Sequence, residues 1–180
     1  MAKVGDFLVA APVLRDENFF RSVVLLCVEE EEGAVGLVIN RPLDIDVSHF
    51  ISDMRGKSQL HFGGPVKKDV VSYLHRHGDR VRSALPVMPG VFFSGRFEDI
   101  QTLIRDEEAS YTDCRFFAGF SSWGPGQLDS EISEGSWFVT QAVRELVFSA
   151  RAQDLWSAVL RRMGGEYALL ANFPLDPSLN

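Results

Sequence analysis

The chain has 180 residues, of which 46% are hydrophobic and 24% are charged, and its formal net charge is −7. This length and composition are typical of one globular domain that can bury a substantial core. The longest uninterrupted apolar run, residues 23–28, is far shorter than the ~20 residues of a membrane-spanning helix. Asp6 interrupts the N-terminus before an apolar segment of signal-peptide length can form. We therefore expect a cytoplasmic protein with no membrane partner.

The charge is unevenly distributed along the chain. Residues 91–180 contain seven basic and 13 acidic side chains, and all seven cations are arginines. An acidic surface of this kind repels a phosphate backbone, so direct nucleic-acid binding is not expected. The one basic stretch contains Arg76, Arg80 and Arg82. A solvated hairpin explains that stretch more simply than a nucleic-acid contact does.

The first 40 residues predict three strands. Residues 4–14 form an apolar run that a polar turn closes. Residues 22–28 and 34–40 are apolar without alternation, and the acidic segment 29–33 between them is typical of a hairpin. Strands that are apolar on consecutive residues are expected in the middle of a sheet, covered on both faces.

The rest of the chain alternates between short strands and amphipathic helices. Helices are predicted over residues 46–55, 97–104, 146–148 and 155–163, the last of them stopped by Gly164 and Gly165. Strands are predicted over residues 60–62, 70–75, 115–120 and 137–140. Residues 1–180 are therefore expected to form a single α+β domain. Its sheet should be mixed but largely antiparallel, with flanking helices and a C-terminal tail over about residues 166–180.

The segment around Trp123 has the most distinctive pattern in the chain. An apolar run ends in a turn that contains Trp123 and Gly124, and a short helix follows on which Gln127 and Glu131 lie one turn apart. These polar side chains predict either a polar cluster at the mouth of a pocket, or a solvated helix face from which Gln127 holds a loop through hydrogen bonds of its amide. The solvated face is favoured for Glu131, and both interpretations stay open for Gln127.

The five residues 119–123 also suggest a nucleophile elbow, with Ser121 as the nucleophile. That motif requires a glycine at its last position, where this chain has Trp123. Ser121 or Ser122 is expected instead to cap the helix that follows, by accepting a hydrogen bond from one of its free N–H groups.

Gly63, Gly64 and Pro65 form a second candidate binding motif. Consecutive glycines can direct backbone N–H groups toward an anion. No Lys-Ser or Lys-Thr pair of a phosphate-binding loop follows them, however. A turn that reverses the chain between two strands is therefore the favoured interpretation.

Asn40, Arg41 and Arg21 are three further candidates for binding. Asn40 and Arg41 end a predicted strand, and ligands gather at strand ends in α/β sheets. Equally, Asn40 could pair backbone groups that lack a partner before Pro42. Arg21 lies just ahead of the second strand and is a candidate partner for a buried carboxylate.

His75 and His77 would share one face of an extended strand and could contribute to a zinc site. A catalytic zinc site needs three protein ligands, and no spacing identifies His61 or Asp79 as the third. We expect no metal site and no cofactor. Because no acid–base pair or activated nucleophile is visible, a binding protein is favoured over an enzyme.

Four motifs in the same order and spacing resemble the AlgH/YqgE family over roughly residues 5–165. They are Phe20-Arg-Ser-Val-Val-Leu-Leu26, Gly33-Ala-Val-Gly-Leu-Val-Ile-Asn-Arg-Pro42, Gly63-Gly-Pro-Val66 and Trp123-Gly-Pro-Gly-Gln-Leu128, followed by Glu131, Ile132 and Trp137. The chain departs from the family pattern at Ser122, Asp129 and Val28-Glu29. The resemblance implies a bacterial, cytosolic α+β protein from a mostly uncharacterised family, some members of which carry a transcriptional-regulator label.

Three functions are compatible with these patterns. The favoured one is a binding or regulatory module that recognises an unknown protein or a small molecule. The first alternative is a hydrolase or transferase for a small or phosphorylated ligand, and the second is a transcriptional regulator that acts through a protein partner. The predicted binding residues are Arg21, Asn40, Arg41, Gly63, Gly64, Pro65, Trp123, Gly124, Gln127 and Glu131.

Overall fold

A computed structural model describes residues 1–49, 58–148 and 152–173 of the chain. This part contains ten strands and five α-helices. The strands are β1 (Asp6–Ala10), β2 (Val23–Glu30), β3 (Gly33–Val38), β4 (Pro42–Asp46), β5 (Gln59–Phe62), β6 (Val66–His75), β7 (Leu85–Met88), β8 (Val91–Phe93), β9 (Cys114–Trp123) and β10 (Trp137–Gln141). The α-helices are α1 (Phe97–Arg105), α2 (Gln127–Ser133), α3 (Arg144–Val147), α4 (Leu155–Met163) and α5 (Gly165–Leu170).

The strands form one sheet around the long strand β9. Its main path runs in the order β10-β1-β2-β3-β9-β6-β8-β7, and β5 joins β9 beside that path with β4 as its other neighbour. The β5–β9 pair is parallel, with Leu60 opposite Phe116. The other pairs among the described strands are antiparallel. The predicted α+β fold with a mixed, largely antiparallel sheet is confirmed.

Strands β1 and β2 are covered on both faces, which the uninterrupted apolar sequence of β2 predicted. Successive side chains of a strand point to opposite faces, so Phe7 and Leu25 enter one core with helix α4, while Leu8 and Val24 enter another with Trp123. Four α4 side chains are buried in the first core: Leu155, Trp156, Val159 and Leu160. Burial of a side chain of this size contributes about 1.5–3 kcal/mol, which makes α4 a main support of the sheet.

The third core lies under helix α1. Ile100 and Leu103 of α1 pack with Leu60, Tyr73 and Phe116 from strands β5, β6 and β9. Helix α1 has its two buried residues three positions apart, which is the spacing of one helical face. The helix predicted over residues 97–104 is therefore confirmed.

Two parts of the strand prediction were wrong. The first strand ends at Ala10 instead of residue 14, because Pro12 has no N–H to donate to a neighbouring strand. Strands β4, β7 and β8, of five, four and three residues, were not predicted. The turn between β7 and β8 did carry a local signal, because Pro89 is followed by Gly90 with φ of +74°.

The helix predicted over residues 46–55 can be compared only in part. Val47–His49 form a short 3₁₀ turn, which Asp46 begins by accepting a hydrogen bond from the Ser48 N–H at 2.9 Å. The predicted apolar positions Phe50, Ile51 and Met54 and the stop at Gly56 lie outside the described residues.

The C-terminal part of the chain contains the predicted helix α4 and a further helix, α5, that was not predicted. Helix α4 has its predicted bounds and ends at Gly164, whose φ is +75°. Helix α5 occupies the start of the predicted tail, and residues 174–180 lie outside the described part. None of the helices among the described residues has the length and apolar character that crossing a bilayer requires.

Candidate functional site

A cavity with a volume of about 390 Å³ opens where strand β9 meets helix α2. We call it the tryptophan pocket. Its volume lies within the range of small-molecule sites. It is lined by Leu14, Asp16, Phe19, Pro65, Ser122, Trp123, Gln127, Glu131, Ser136 and Trp137. Four of the ten residues predicted from separate sequence motifs, namely Pro65, Trp123, Gln127 and Glu131, thus lie at one cavity.

Glu131 is the central hydrogen-bond acceptor of the pocket. Its Oε2 accepts hydrogen bonds from the indole N–H groups of Trp123 and Trp137, at 2.9 and 2.8 Å. Its Oε1 accepts a third from the Gln127 amide at 2.9 Å. The two tryptophans are only 5% and 3% exposed, and buried indole N–H groups need an acceptor. The prediction that Glu131 belongs to a solvated helix face is therefore wrong.

Gln127 takes part in both predicted roles. Its Oε1 accepts a hydrogen bond from the Gly124 N–H at 3.0 Å, while its Nε2 donates to Glu131. The side chain therefore holds the turn before α2 and also lines the pocket. Gly124 contributes its backbone N–H to this arrangement, although its own atoms line a neighbouring depression instead of the pocket.

The predicted serine cap of helix α2 is not present. Strand β9 continues through Trp123, so both serines belong to the strand. Ser121 is fully buried and its hydroxyl donates to the Gly63 carbonyl at 3.3 Å. Helix α2 begins after Gly126, which has a φ of +71° and no side chain to accept a capping bond.

Three aromatic rings form the apolar wall of the pocket. Phe19 stacks on Trp123 with a centroid distance of 6.4 Å, and its edge meets Trp137 at 5.4 Å. The two indoles meet edge to face at 6.0 Å. These are the favoured geometries of aromatic pairs, so the wall is rigid. Phe19 was not predicted as a site residue, and its adjacency to the Phe20–Leu26 motif was the only local signal for it.

Arg41 and Asn40 support the pocket from outside by holding the segment between β1 and β2. The Arg41 guanidinium donates to the carbonyls of Glu17 and Phe20, at 2.9 and 2.8 Å. Asn40 accepts from the first amide of β2 and donates to the Arg21 carbonyl, at 2.8 and 2.9 Å. Asn40 thus pairs backbone groups, as one of the two interpretations predicted, and neither residue lines the cavity.

Arg21 lies apart from the pocket. Its guanidinium donates to the Phe173 carbonyl and lies over the Trp156 ring, 4.6 Å from the ring centroid. Among the described residues these contacts take the place of the predicted carboxylate partner. Burial lowers the pKa of Arg21 from its ordinary value.

The two glycines of the Gly63-Gly64-Pro65 motif make a close backbone crossing over β9. The Gly63 N–H donates to the Ala118 carbonyl at 2.9 Å, so it is not directed at an anion. A Cβ at Gly63 would lie 2.3 Å from the Gly119 carbonyl oxygen, and one at Gly64 would lie 2.2 Å from the backbone of β9. The motif therefore forms a chain reversal between β5 and β6, which was the favoured interpretation. Of its three residues, only Pro65 lines the pocket.

A second cleft, of about 520 Å³, lies beside β5 and is lined in part by His61 and Arg115. Arg115 is only 8% exposed, and one terminal nitrogen donates to the carbonyls of Ile39 and Val147, at 3.1 and 2.8 Å. Burial lowers the pKa of Arg115 to about 10. These bonds connect β9 to the end of β3 and to α3. This buried cation was not predicted, although a lone arginine in an apolar strand is a sequence signal for one.

His61 makes folding stability depend on pH. Its Nδ1–H donates to the Gln59 carbonyl at 3.1 Å. Burial, and next the charge of Arg115, lower the pKa of His61 from 6.5 to about 4. The unfolded chain therefore binds more protons than the folded chain between these two values, so stability falls as the pH falls.

We expect His61→Gln to weaken this pH dependence. Between pH 7 and pH 5 the wild-type protein should lose about 2 kcal/mol more unfolding free energy than the variant does. Urea titrations at both pH values measure the difference, with His49→Gln at an exposed position as the control. Equal losses of unfolding free energy in the wild type and in His61→Gln would contradict the assignment of this pH dependence to His61.

The residues considered for metal binding and for nucleic-acid binding are engaged in other contacts. His75 is fully buried; its Nε2–H donates to the Ser94 carbonyl and its Nδ1 accepts from the His77 N–H. Within residues 1–49, 58–148 and 152–173, no three His, Cys, Asp or Glu side chains are grouped to hold a metal ion. In the basic stretch, Arg80 pairs with Glu108 and Arg82 with Asp99.

Comparison with known proteins extends over nearly the whole chain. The AlgH-like family model matches residues 7–168. A UPF0301 protein of Chlorobium limicola is 38% identical over 177 residues, which cover 98% of this chain and 95% of the relative. A UPF0301 protein of Chlorobaculum tepidum is 40% identical over 179 residues, or 99% and 96% of the two chains.

Two solved structures share the fold. The crystal structure of protein DIP2367 from Corynebacterium diphtheriae matches with a TM-score of 0.82 and 26% identity, over 96% of this chain and 93% of that one. The solution structure of AlgH from Pseudomonas aeruginosa, a UPF0301 protein, matches with a TM-score of 0.74 and 26% identity, over 96% and 94%. The predicted resemblance is confirmed: the chain belongs to the AlgH-like family, also called UPF0301.

Proposed function

We propose that this protein is a cytoplasmic binding module that recognises a protein or a small ligand through the tryptophan pocket. The observation that carries the proposal is the convergence at one cavity of residues from two separate motifs. Pro65 comes from the turn between β5 and β6, Trp123 from β9, and Gln127 and Glu131 from α2. Surfaces assembled from several elements around a concave space are the usual form of a ligand site.

The pocket is prepared for binding before any ligand arrives. Glu131 is fixed by three hydrogen bonds, Gln127 by two, and the ring of Phe19 by contacts to two indoles. A fixed lining loses little side-chain entropy when a ligand binds, which favours affinity.

The arrangement favours binding over turnover. The enzyme alternative used Glu131 and Gln127 together with Arg21, but Arg21 lies at Trp156 and does not line the pocket. Ser121, the one candidate nucleophile, is buried against the Gly63 carbonyl. Acid–base or nucleophilic chemistry needs such groups within hydrogen-bond reach of one another.

A regulatory role in transcription would act through a protein partner. The arginines at positions 80 and 82 are paired with carboxylates, so their charge is partly neutralised. Binding to a phosphate backbone depends on cations that are available to displace counterions. The proposal therefore assigns recognition to the tryptophan pocket instead of the basic stretch.

A thermal-shift screen tests the proposed function. The purified protein is screened against amines, amino acids, nucleotides, phosphorylated metabolites and divalent metals, beside the variants Gln127→Ala and Ser122→Phe. Ser122 is exposed and lines the pocket, so phenylalanine there should fill the cavity without removing a buried contact. We expect a ligand that raises the Tm of the wild type and has no effect on Ser122→Phe. A ligand that stabilises the wild type and both variants equally would place the binding site elsewhere.

A further inference from the structure

The charge of the tryptophan pocket points to the chemistry of its ligand, if the proposed function holds. We infer that the pocket receives a lysine or arginine side chain of a partner protein. The basic segment that carries this side chain lies across helix α2, toward the acidic tip of the β2–β3 hairpin.

The first argument is charge complementarity. Asp16 and Glu131 are the charged residues of the pocket lining, and no Lys, Arg or His from the described part of the chain belongs to it. Arg41 lies outside the lining but interacts electrostatically with Asp16 and offsets part of its charge. Within the lining itself an anionic ligand would meet two carboxylates and no cation, whereas a cationic ligand would be attracted by both.

The second argument is the hydrogen-bonding capacity of Glu131. An ionised carboxylate offers about four acceptor sites, and Glu131 uses three for Trp123, Trp137 and Gln127. One site therefore remains for a donor that enters the pocket. An ammonium or guanidinium group supplies a charge-assisted hydrogen bond of this kind, which is about twice as strong as a neutral one.

The third argument is the aromatic wall. Phe19 is the half-buried ring of the lining, whereas Trp123 and Trp137 are only 5% and 3% exposed. A cation in the pocket would therefore lie against the Phe19 ring, and cations are attracted to aromatic rings within about 6 Å. The Phe19 ring would also cover the methylene stem of a lysine or arginine, whose apolar part packs on rings while its charged head remains at polar groups.

The fourth argument distinguishes a protein segment from a free amine. On the other side of the turn that contains Gly124 lies a small depression of about 40 Å³, lined by Glu29, Glu30 and Asp129 among others. No basic side chain from the described ranges lines it either. Since the turn and α2 border both cavities, the acidic surface extends beyond the reach of one small cation. A chain with several basic side chains matches this extent.

The test measures binding of a fluorescein-labelled hexa-arginine peptide by fluorescence anisotropy at low ionic strength. Three forms are compared with the wild type: Ser122→Phe, the pair Glu30→Gln with Asp129→Asn, and the control pair Glu98→Gln with Glu166→Gln. The two pairs remove the same charge, and the control carboxylates lie in the first turns of α1 and α5. The control therefore reports the effect of net charge alone.

We expect the dissociation constant to rise at least about tenfold for Ser122→Phe and for the first pair, and less than about threefold for the control pair. Equal increases for the two pairs, or no binding by the wild type, would overturn the inference. Competition by free arginine at the same concentration as the peptide would assign the pocket to a small amine instead of a protein segment. A neutral or anionic ligand that Ser122→Phe blocks in the thermal-shift screen, without peptide binding, would leave the proposed function standing and refute only this inference.

Discussion

Glu131→Ala is expected to destabilise the fold by about 2–5 kcal/mol, although its side chain is partly exposed. The substitution removes the acceptor of two indole N–H groups, those of Trp123 and Trp137, which are almost completely buried. Each buried donor left without a partner costs about 1–3 kcal/mol. Urea denaturation measures the loss, and each kcal/mol should lower the Tm by about 2–4 °C in a chain of this length.

Two further variants show whether the cost comes from these hydrogen bonds. Glu134→Ala also removes a carboxylate next to α2, but one that, within the described part of the chain, accepts a hydrogen bond only from the exposed Ser130 hydroxyl. We therefore expect a change below about 0.5 kcal/mol. Glu131→Gln keeps an oxygen acceptor without the charge and should fall between the two. Equal stability of Glu131→Ala and Glu134→Ala would show that the indoles find other partners.

Gly63→Ala is expected to cost about 3 kcal/mol or more, although it adds only a methyl group. The new Cβ would lie 2.3 Å from the Gly119 carbonyl oxygen and 2.9 Å from the Phe117 Cβ. The first of these is a backbone atom of the central strand, so it can move only with the strand. Because the same turn carries Pro65, the variant should also widen the tryptophan pocket. It should therefore weaken the binding of any ligand that the thermal-shift screen identifies.

Gly126→Ala is the matched control for this effect. Gly126 has a φ of +71°, but a Cβ there would meet no atom within 4 Å. Gly126→Ala should therefore cost only about 1–2 kcal/mol, which is the cost of a left-handed backbone conformation for a residue with a Cβ. Urea denaturation of both variants separates close packing from conformational strain. If Gly63→Ala lowers the unfolding free energy no more than Gly126→Ala does, the backbone crossing between Gly63 and β9 must relax easily.

The sequence alone determined the elements whose signal is local. The uninterrupted apolar runs of β2 and β3 predicted central strands covered on both faces, and the apolar stripe of α4 predicted that helix with its observed bounds. Whether an element is buried on one face or on both depends on the pattern of apolar residues along it, and that pattern is visible within ten residues. The position of a turn around Gly63 and Gly64 was also predictable, because glycine and proline act locally.

Only the tertiary structure decided what the candidate residues do. Glu131 was expected in solvent because it lies on the polar face of its own helix. In the structure, Trp123 and Trp137 donate hydrogen bonds to it from two different strands. Arg41 was a candidate ligand, and it holds the carbonyls of Glu17 and Phe20, more than 20 residues away in the chain. A hydrogen-bond partner is chosen by distance in space after the strands have paired. Residue type and local spacing therefore identified four members of the tryptophan pocket, while strand order and packing brought Phe19 and Asp16 to it.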